Sequence, residues 1–165
     1  MDTNTADLLE HLTAQTRSLL NTLQMDQPLI VGIHTGGLWV AEHLHKALGL
    51  ESEMGELDIS FYRDDFSRLG LNPQVKPSKL PLDITDQHII LVDDVLHTGR
   101  TIRAALNELF DYGRPASVHL VVLIDRGGRE LPIAAQMAGQ TVDLPPNQHV
   151  KLTGPEPLKL ELITT

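Results

Sequence analysis

Three short apolar runs, each passing into a polar loop, constrain this 165-residue chain more than any other feature. They are Leu29-Ile30-Val31-Gly32-Ile33, His88-Ile89-Ile90-Leu91-Val92 and Val118 to Ile124. Continuous apolar runs of that length belong to strands covered on both faces. Helical spacing falls between them. Leu38 to Leu48 reads as one helix, stopped at Gly49. Ile102, Leu106, Leu109 and Phe110 share one face of another, which begins after Gly99 and ends at Gly113 and Pro115. Leu8, Leu12, Leu19, Leu20 and Leu23 predict an amphipathic N-terminal helix, closed by Pro28. Strands alternating with helices imply an α/β domain with a mainly parallel sheet.

The remaining segments are less periodic. Glu56 to Tyr62 alternates as a strand does. Arg63 to Leu82 is polar, holds three prolines and reads as a long functional or mobile loop. The tail around Pro145-Pro146 and Leu158 to Ile163 predicts short strands. The length fits one domain spanning residues 1–165, large enough for a core without disulfides or a structural metal.

Composition removes several classes of function. Cysteine is absent, so disulfide frameworks, thiolate metal sites and cysteine nucleophiles are excluded. No run approaches the ~20 apolar residues of a membrane-spanning helix. The start, Met1-Asp2-Thr3-Asn4, is not a basic leader, and a cytoplasmic protein is expected. A net charge of −9 opposes non-specific nucleic-acid binding. The eight histidines show no HExxH spacing, and no G-x-S-x-G elbow is present.

Ligands of parallel α/β sheets bind beyond the carboxyl ends of the strands. Loops starting at His34, Asp93 and Asp125 lie at such ends, so one shared site is expected there. In the segment Asp93-Asp94-Val95-Leu96-His97-Thr98-Gly99-Arg100-Thr101, two carboxylates precede the start of a helix. A helix N-terminus offers unpaired N–H groups and partial positive charge to a phosphate. Gly99 permits close approach, the Thr98 and Thr101 hydroxyls add donors, and the acids can accept bonds from vicinal ribose hydroxyls. Together they describe a sugar-phosphate site.

Gly32-Ile33-His34-Thr35-Gly36-Gly37 also joins a strand to a helix. It has P-loop-like glycine spacing, but Leu38-Trp39 stands where Lys-Ser/Thr is required. The loop suits a second anion bound through backbone amides. Tyr62-Arg63-Asp64-Asp65 adds a cation for phosphates and acids for a metal. Asp125-Arg126-Gly127 is a candidate contact for a base or pyrophosphate, or a plain turn.

The run from Ile89 to Thr101 resembles the phosphoribosyl pyrophosphate (PRPP) signature of type I phosphoribosyltransferases. Further strings resemble the PyrR family of bifunctional pyrimidine operon regulators with uracil phosphoribosyltransferase activity. They are Val31 to Gly37, Gly55 to Asp65, Gly113-Arg114-Pro115 and Leu123-Ile124-Asp125-Arg126-Gly127-Gly128-Arg129-Glu130-Leu131-Pro132-Ile133. The resemblance runs from about Leu29 to Val142.

The resemblance implies the type I phosphoribosyltransferase fold with a mobile flap after Arg63. It also implies conversion of uracil and PRPP to UMP and pyrophosphate with Mg2+. Asp93 and Asp94 would hold the ribose hydroxyls and are candidate metal contacts, and Arg63 would assist catalysis. Thr98, Gly99, Arg100 and Thr101 would bind the 5′-phosphate, with Val95, Leu96 and His97 completing that segment. Thr35, Gly36 and Gly37 would form the pyrophosphate loop, and Asp125 and Arg126 would line the ligand. A homodimer or higher oligomer is implied, as is nucleotide-dependent binding of pyrimidine-operon leader RNA. Two departures stand out. Relatives commonly carry Thr-Arg-Gly where this chain has Thr35-Gly36-Gly37, which predicts weaker catalysis. Ala134 to Gln140 has no positive charge where basic residues linked to RNA binding often occur.

Overall fold

The computed structural model describes residues 4–59, 78–81 and 83–165. Helix α1 spans Thr5–Thr22, and the Asn4 side chain caps it by accepting from the Ala6 N–H at 2.9 Å. Strand β1 (Leu29–Ile33) leads to α2 (Gly36–Ala47) and the short β2 (Gly55–Leu57). Strand β3 (His88–Leu96) is followed by α3 (Arg100–Tyr112) and β4 (Ser117–Asp125). Strands β5 (Met137–Thr141), β6 (Gln148–Thr153) and β7 (Lys159–Thr164) complete the chain. The first five strands form one parallel sheet in the order β2-β1-β3-β4-β5, and β6 and β7 pair as an antiparallel hairpin.

The order explains the layering. From β1 the chain moves one way along the sheet to β2; from β3 it moves the other way to β4. Right-handed crossovers in opposite directions put their helices on opposite faces. Side-chain packing follows. Ile30, Ile90, Val92, Val121 and Leu123 face α1, α2 and the hairpin. The alternate residues Leu29, Val31, Ile89, Leu91, Leu120 and Val122 face α3. Both sets are buried, hence the unbroken apolar runs in the sequence. Each fully buried Leu or Ile contributes roughly 1.5–3 kcal/mol.

Several sequence expectations shift. Strand β3 does not stop before the acid pair but continues through Asp93 and Asp94 to Leu96, because β4 pairs with it up to Leu96↔Asp125. Strand β2 ends at Leu57, and residues beyond Ile59 in the expected Glu56–Tyr62 strand lie outside the described set. Phe110 is 56% exposed, while Ala104 and Ala105 take its expected place against the sheet. Strand β5 was not foreseen; Met-Ala-Gly-Gln-Thr has neither an apolar run nor alternation, and its ladder to β4 makes it a strand. Among the described residues no helix is long and apolar enough to cross a membrane.

Candidate functional site

The sheet changes winding direction between β1 and β3, so the loops leaving those strands diverge and open a crevice. A cavity of about 360 Å³ occupies it. Thr35 and Gly36 form one wall, from the loop after β1. Asp93, Asp94 and Val95 form the facing wall, from the end of β3, and Thr101 of α3 completes it. Six of the residues singled out in the sequence therefore meet in one place.

Glycine makes the walls this close. A Cβ built on Gly37 would stand 2.7 Å from the Val92 carbonyl oxygen and 3.0 Å from the Asp93 Cα. A Cβ on Gly36 would collide with the Asp94 carboxylate. At Gly37 the loop is thus pressed onto the β3 backbone as only glycine allows. Asp93 is buried, with Oδ1 accepting from the Asp94 N–H at 2.9 Å. Asp94 is half-buried, and its Oδ1 accepts from the Val95 N–H at 2.8 Å. These bonds fix both carboxylates at the cavity edge. Beside the loop, His34 Nε2 lies 3.0 Å from Glu56 Oε1 of β2.

Gly99 starts α3 with φ +94°, a left-handed conformation that glycine adopts without strain. The first-turn amides of a helix lack intrahelical acceptors; here the Arg100 N–H donates to Thr98 Oγ1 at 3.1 Å. The Leu96 side chain is buried in the core, so only its backbone is available to a ligand. The exposed His97 has Nδ1 2.9 Å from the Gly127 carbonyl oxygen. Arg100 extends outward, its Nε 3.3 Å from Glu130.

The loop after β4 is organised differently. Arg129 donates to Asp125 Oδ2 at 2.7 Å, to the His97 carbonyl at 2.9 Å and to the Ile133 carbonyl at 2.8 Å. Burial acts to raise the Asp125 pKa, but the Arg129 guanidinium and the Gly127 N–H outweigh it and hold the carboxyl below its ordinary range. Arg126 is 8% exposed, and one terminal nitrogen lies 3.4 Å from His149 Nδ1 of β6. Neither Asp125 nor Arg126 lines the cavity. Arg63, with Tyr62, Asp64, Asp65 and most of the expected flap, lies outside the described residues.

Three contributors escaped the sequence reading. Trp39 of α2 and Lys151 and Leu152 of β6 also line the cavity. Trp39 occupies the position that excluded a P-loop. Nothing in the local pattern around Lys151 signals a site.

Two adjacent carboxylates suit a cation shared with a phosphorylated ligand, since Mg2+ is commonly held by one or two carboxylates plus substrate oxygens. Among the described residues no three His, Cys, Asp or Glu side chains gather as a self-sufficient metal cage. The donor set therefore fits Mg2+ arriving with a phosphate ligand.

Comparison with known proteins agrees with this architecture. Residues 3–149 match the phosphoribosyl transferase domain family. A relative from Pseudomonas paraeruginosa named Bifunctional protein PyrR is 60% identical over 158 residues, covering 96% of this chain and 93% of the relative. One of the same name from Nitrosococcus oceani is 58% identical over 141 residues, covering 84% and 80%. Among solved structures, a hypoxanthine phosphoribosyltransferase from Staphylococcus aureus superposes with TM-score 0.67 at 20% identity, covering 85% of this chain and 75% of that one. A hypoxanthine-guanine phosphoribosyltransferase from Bacillus anthracis gives TM-score 0.69 at 16% identity, covering 84% and 81%. At those identities the likeness concerns the fold, which is the type I phosphoribosyltransferase fold with its mainly parallel sheet and flanking helices. The chain belongs to the phosphoribosyl transferase domain family and, within it, to the PyrR family.

Proposed function

We propose that this protein is a uracil phosphoribosyltransferase, converting uracil and PRPP to UMP and pyrophosphate, and that residues 1–165 act as one catalytic domain. One observation carries the reading: the crevice between β1 and β3 sets the Asp93–Asp94 pair against the Thr35–Gly36 loop, with Thr101 of α3 beside them. Carboxylates for a ribose, a tight backbone loop for a diphosphate and a helix N-terminus for a monophosphate are the three parts that PRPP requires. The PyrR relatives supply the choice of uracil.

In this mechanism Asp93 and Asp94 accept hydrogen bonds from the 2′- and 3′-hydroxyls and hold C1′ over the crevice. Thr98, Gly99, Arg100 and Thr101 receive the 5′-phosphate, with Val95, Leu96 and His97 contributing the strand-to-helix turn. Thr35, Gly36 and Gly37 receive the pyrophosphate. Bound Mg2+ supplies charge neutralisation for the pyrophosphate. The bond from uracil N1 to C1′ forms as the C1′–O bond to pyrophosphate breaks, through an oxocarbenium-like transition state, and the N1 proton leaves with the departing pyrophosphate. Positioning of both partners provides much of the rate. Arg63 and the segment after it are assigned to cover the site, because water would otherwise capture the activated sugar. Asp125 and Arg126 are assigned to the base or pyrophosphate side of the ligand. The protein is assigned to the cytoplasm, as a homodimer or higher oligomer.

The regulatory half of the family's activity has less support in this chain. The net charge is −9, Ala134 to Gln140 carries no cation, and the Arg129 guanidinium is engaged by three internal acceptors. Binding of leader RNA would have to come from other basic residues.

The deciding experiment is a phosphoribosyl-transfer assay with PRPP and Mg2+ against uracil, hypoxanthine, guanine and adenine. UMP from uracil alone is the expected result. A purine nucleotide as main product would overturn the base assignment. PRPP binding without transfer to any base would replace the enzyme with a nucleotide sensor.

A further inference from the structure

We infer that Lys151, on the C-terminal hairpin, is the cation that binds the pyrophosphate group; this rests on the phosphoribosyltransferase reading and adds a residue to it. The cavity presents two carboxylates, Asp93 and Asp94, to a ligand that carries several negative charges. Polyanion binding there is helped by protein positive charge at the cavity edge in addition to any bound cation. The loop after β1 does not deliver it at position 36, where this chain has glycine and relatives commonly carry Arg. His34, the loop's titratable side chain, lies against Glu56. Lys151 is the Lys or Arg residue that lines this cavity among the described residues, together with Thr35, Gly36, Asp93 and Asp94.

The hairpin is built to hold that lysine in place. Val150 and Leu152 are buried in the core beneath α1 and α2. Alternation along a strand turns Lys151 away from that core. Six ladder pairs, from Gln148↔Thr164 to Thr153↔Lys159, keep β6 straight. Arg126 reaches His149 from the end of β4, tying the strand to the sheet two residues before Lys151. The exposed Lys151 makes no ion pair with another described residue, so its charge is not spent internally. A lysine ammonium suits a diphosphate as a mobile point charge with three donors.

The test is calorimetric titration of Mg-pyrophosphate, Mg-PRPP and UMP onto wild type, Lys151→Ala, Lys151→Gln and Lys151→Arg. UMP shares the ribose and 5′-phosphate of the bound state but has no pyrophosphate. Loss of one charged hydrogen bond predicts that Lys151→Ala and Lys151→Gln weaken pyrophosphate and PRPP by about tenfold or more. UMP should change by less than about twofold, and Lys151→Arg should recover most of the loss, because charge rather than shape is at issue. Unchanged pyrophosphate binding in Lys151→Ala and Lys151→Gln would overturn the inference, and so would equal weakening of UMP. Wild type that binds neither PRPP nor UMP would remove the phosphoribosyltransferase reading itself, a result distinct from either.

Discussion

Strands β3 and β4 are parallel neighbours that both carry aspartate near their carboxyl ends, yet the two ends do opposite things. At β4, Asp125 is neutralised by Arg129, whose remaining donors close onto the His97 and Ile133 carbonyls. Asp125 and Arg129 are thus spent on internal partners, although the buried Nε of the neighbouring Arg126 has none among the described residues. At β3, Asp94 points at a glycine loop and a cavity and pairs with no described cation. The Asp94 carboxylate is held by the Val95 N–H without being cancelled by a described cation. The same side chain at the same kind of position is structural where its partner is internal, and available for binding where the partner must come from outside.

Three substitutions separate the two ends, and the largest effect belongs to β3. Asp94→Asn keeps the shape and removes the charge. Its kcat/KM should fall on the order of a hundredfold, the scale of losing one preorganised electrostatic contact. Its melting temperature should stay within a few degrees of wild type, since a charge with no internal partner contributes little to folding. Near-normal kinetics would remove Asp94 from its assigned role. Gly36→Ala tests the opposite wall. The added methyl meets the far end of the Asp94 side chain, which can turn aside, so activity should drop about tenfold through a misplaced carboxylate while the melting temperature stays near that of wild type. Wild-type activity in that variant would mean that the loop opens before ligand binds.

At β4 the ordering should reverse. Arg129→Ala breaks three hydrogen bonds and should cost about 1–3 kcal/mol in denaturant unfolding, with a smaller effect on kcat/KM than Asp94→Asn. The pH dependence of stability gives a finer check. The Asp125 pKa is depressed in the folded state, so its stabilisation is present above the unfolded carboxyl pKa of about 3.9 and fades as pH falls through the lower folded value. The gap between wild type and Asp125→Asn should therefore be widest near neutrality and close in acid. A gap that does not change from neutral pH to acid would mean that the Asp125–Arg129 pair is not formed in solution.

The two ends also differ in how far they could be read from the chain alone. Around β3 the signal was local: an apolar run, two acids, then Thr98-Gly99-Arg100-Thr101 opening a helix. Neighbouring residues set each of those features through backbone geometry and hydrogen bonding, so the phosphate segment and its strand–loop–helix setting were legible. The strand's true end was not, because the register with β4 carries it through the acids to Leu96. Around β4 the acidic and basic residues were visible but their partners were not. The sequence leaves Arg126 as a contact for base or pyrophosphate or as part of a plain turn, and it does not show the nearness of Arg126 to His149, on a strand 23 residues away. Strand β5, poor in apolar residues, exists because β4 offers it a ladder.

By itself, then, the sequence determined the alternation of strands and helices, the burial of the central strands on both faces and the chemistry of the segment from Asp93 to Thr101. These depend on periodicity and on contacts a few residues apart. Tertiary structure decided that β1 lies beside β3, that Gly36 presses on Asp94, and that Lys151 arrives at the same cavity from the far end of the chain. Those facts arise from sheet order and from the hairpin's packing on the α1–α2 face, where Val150 and Leu152 enter the core. Burial of apolar surface joins segments wherever their shapes fit, and no short window of sequence records which distant side chain that brings to a site.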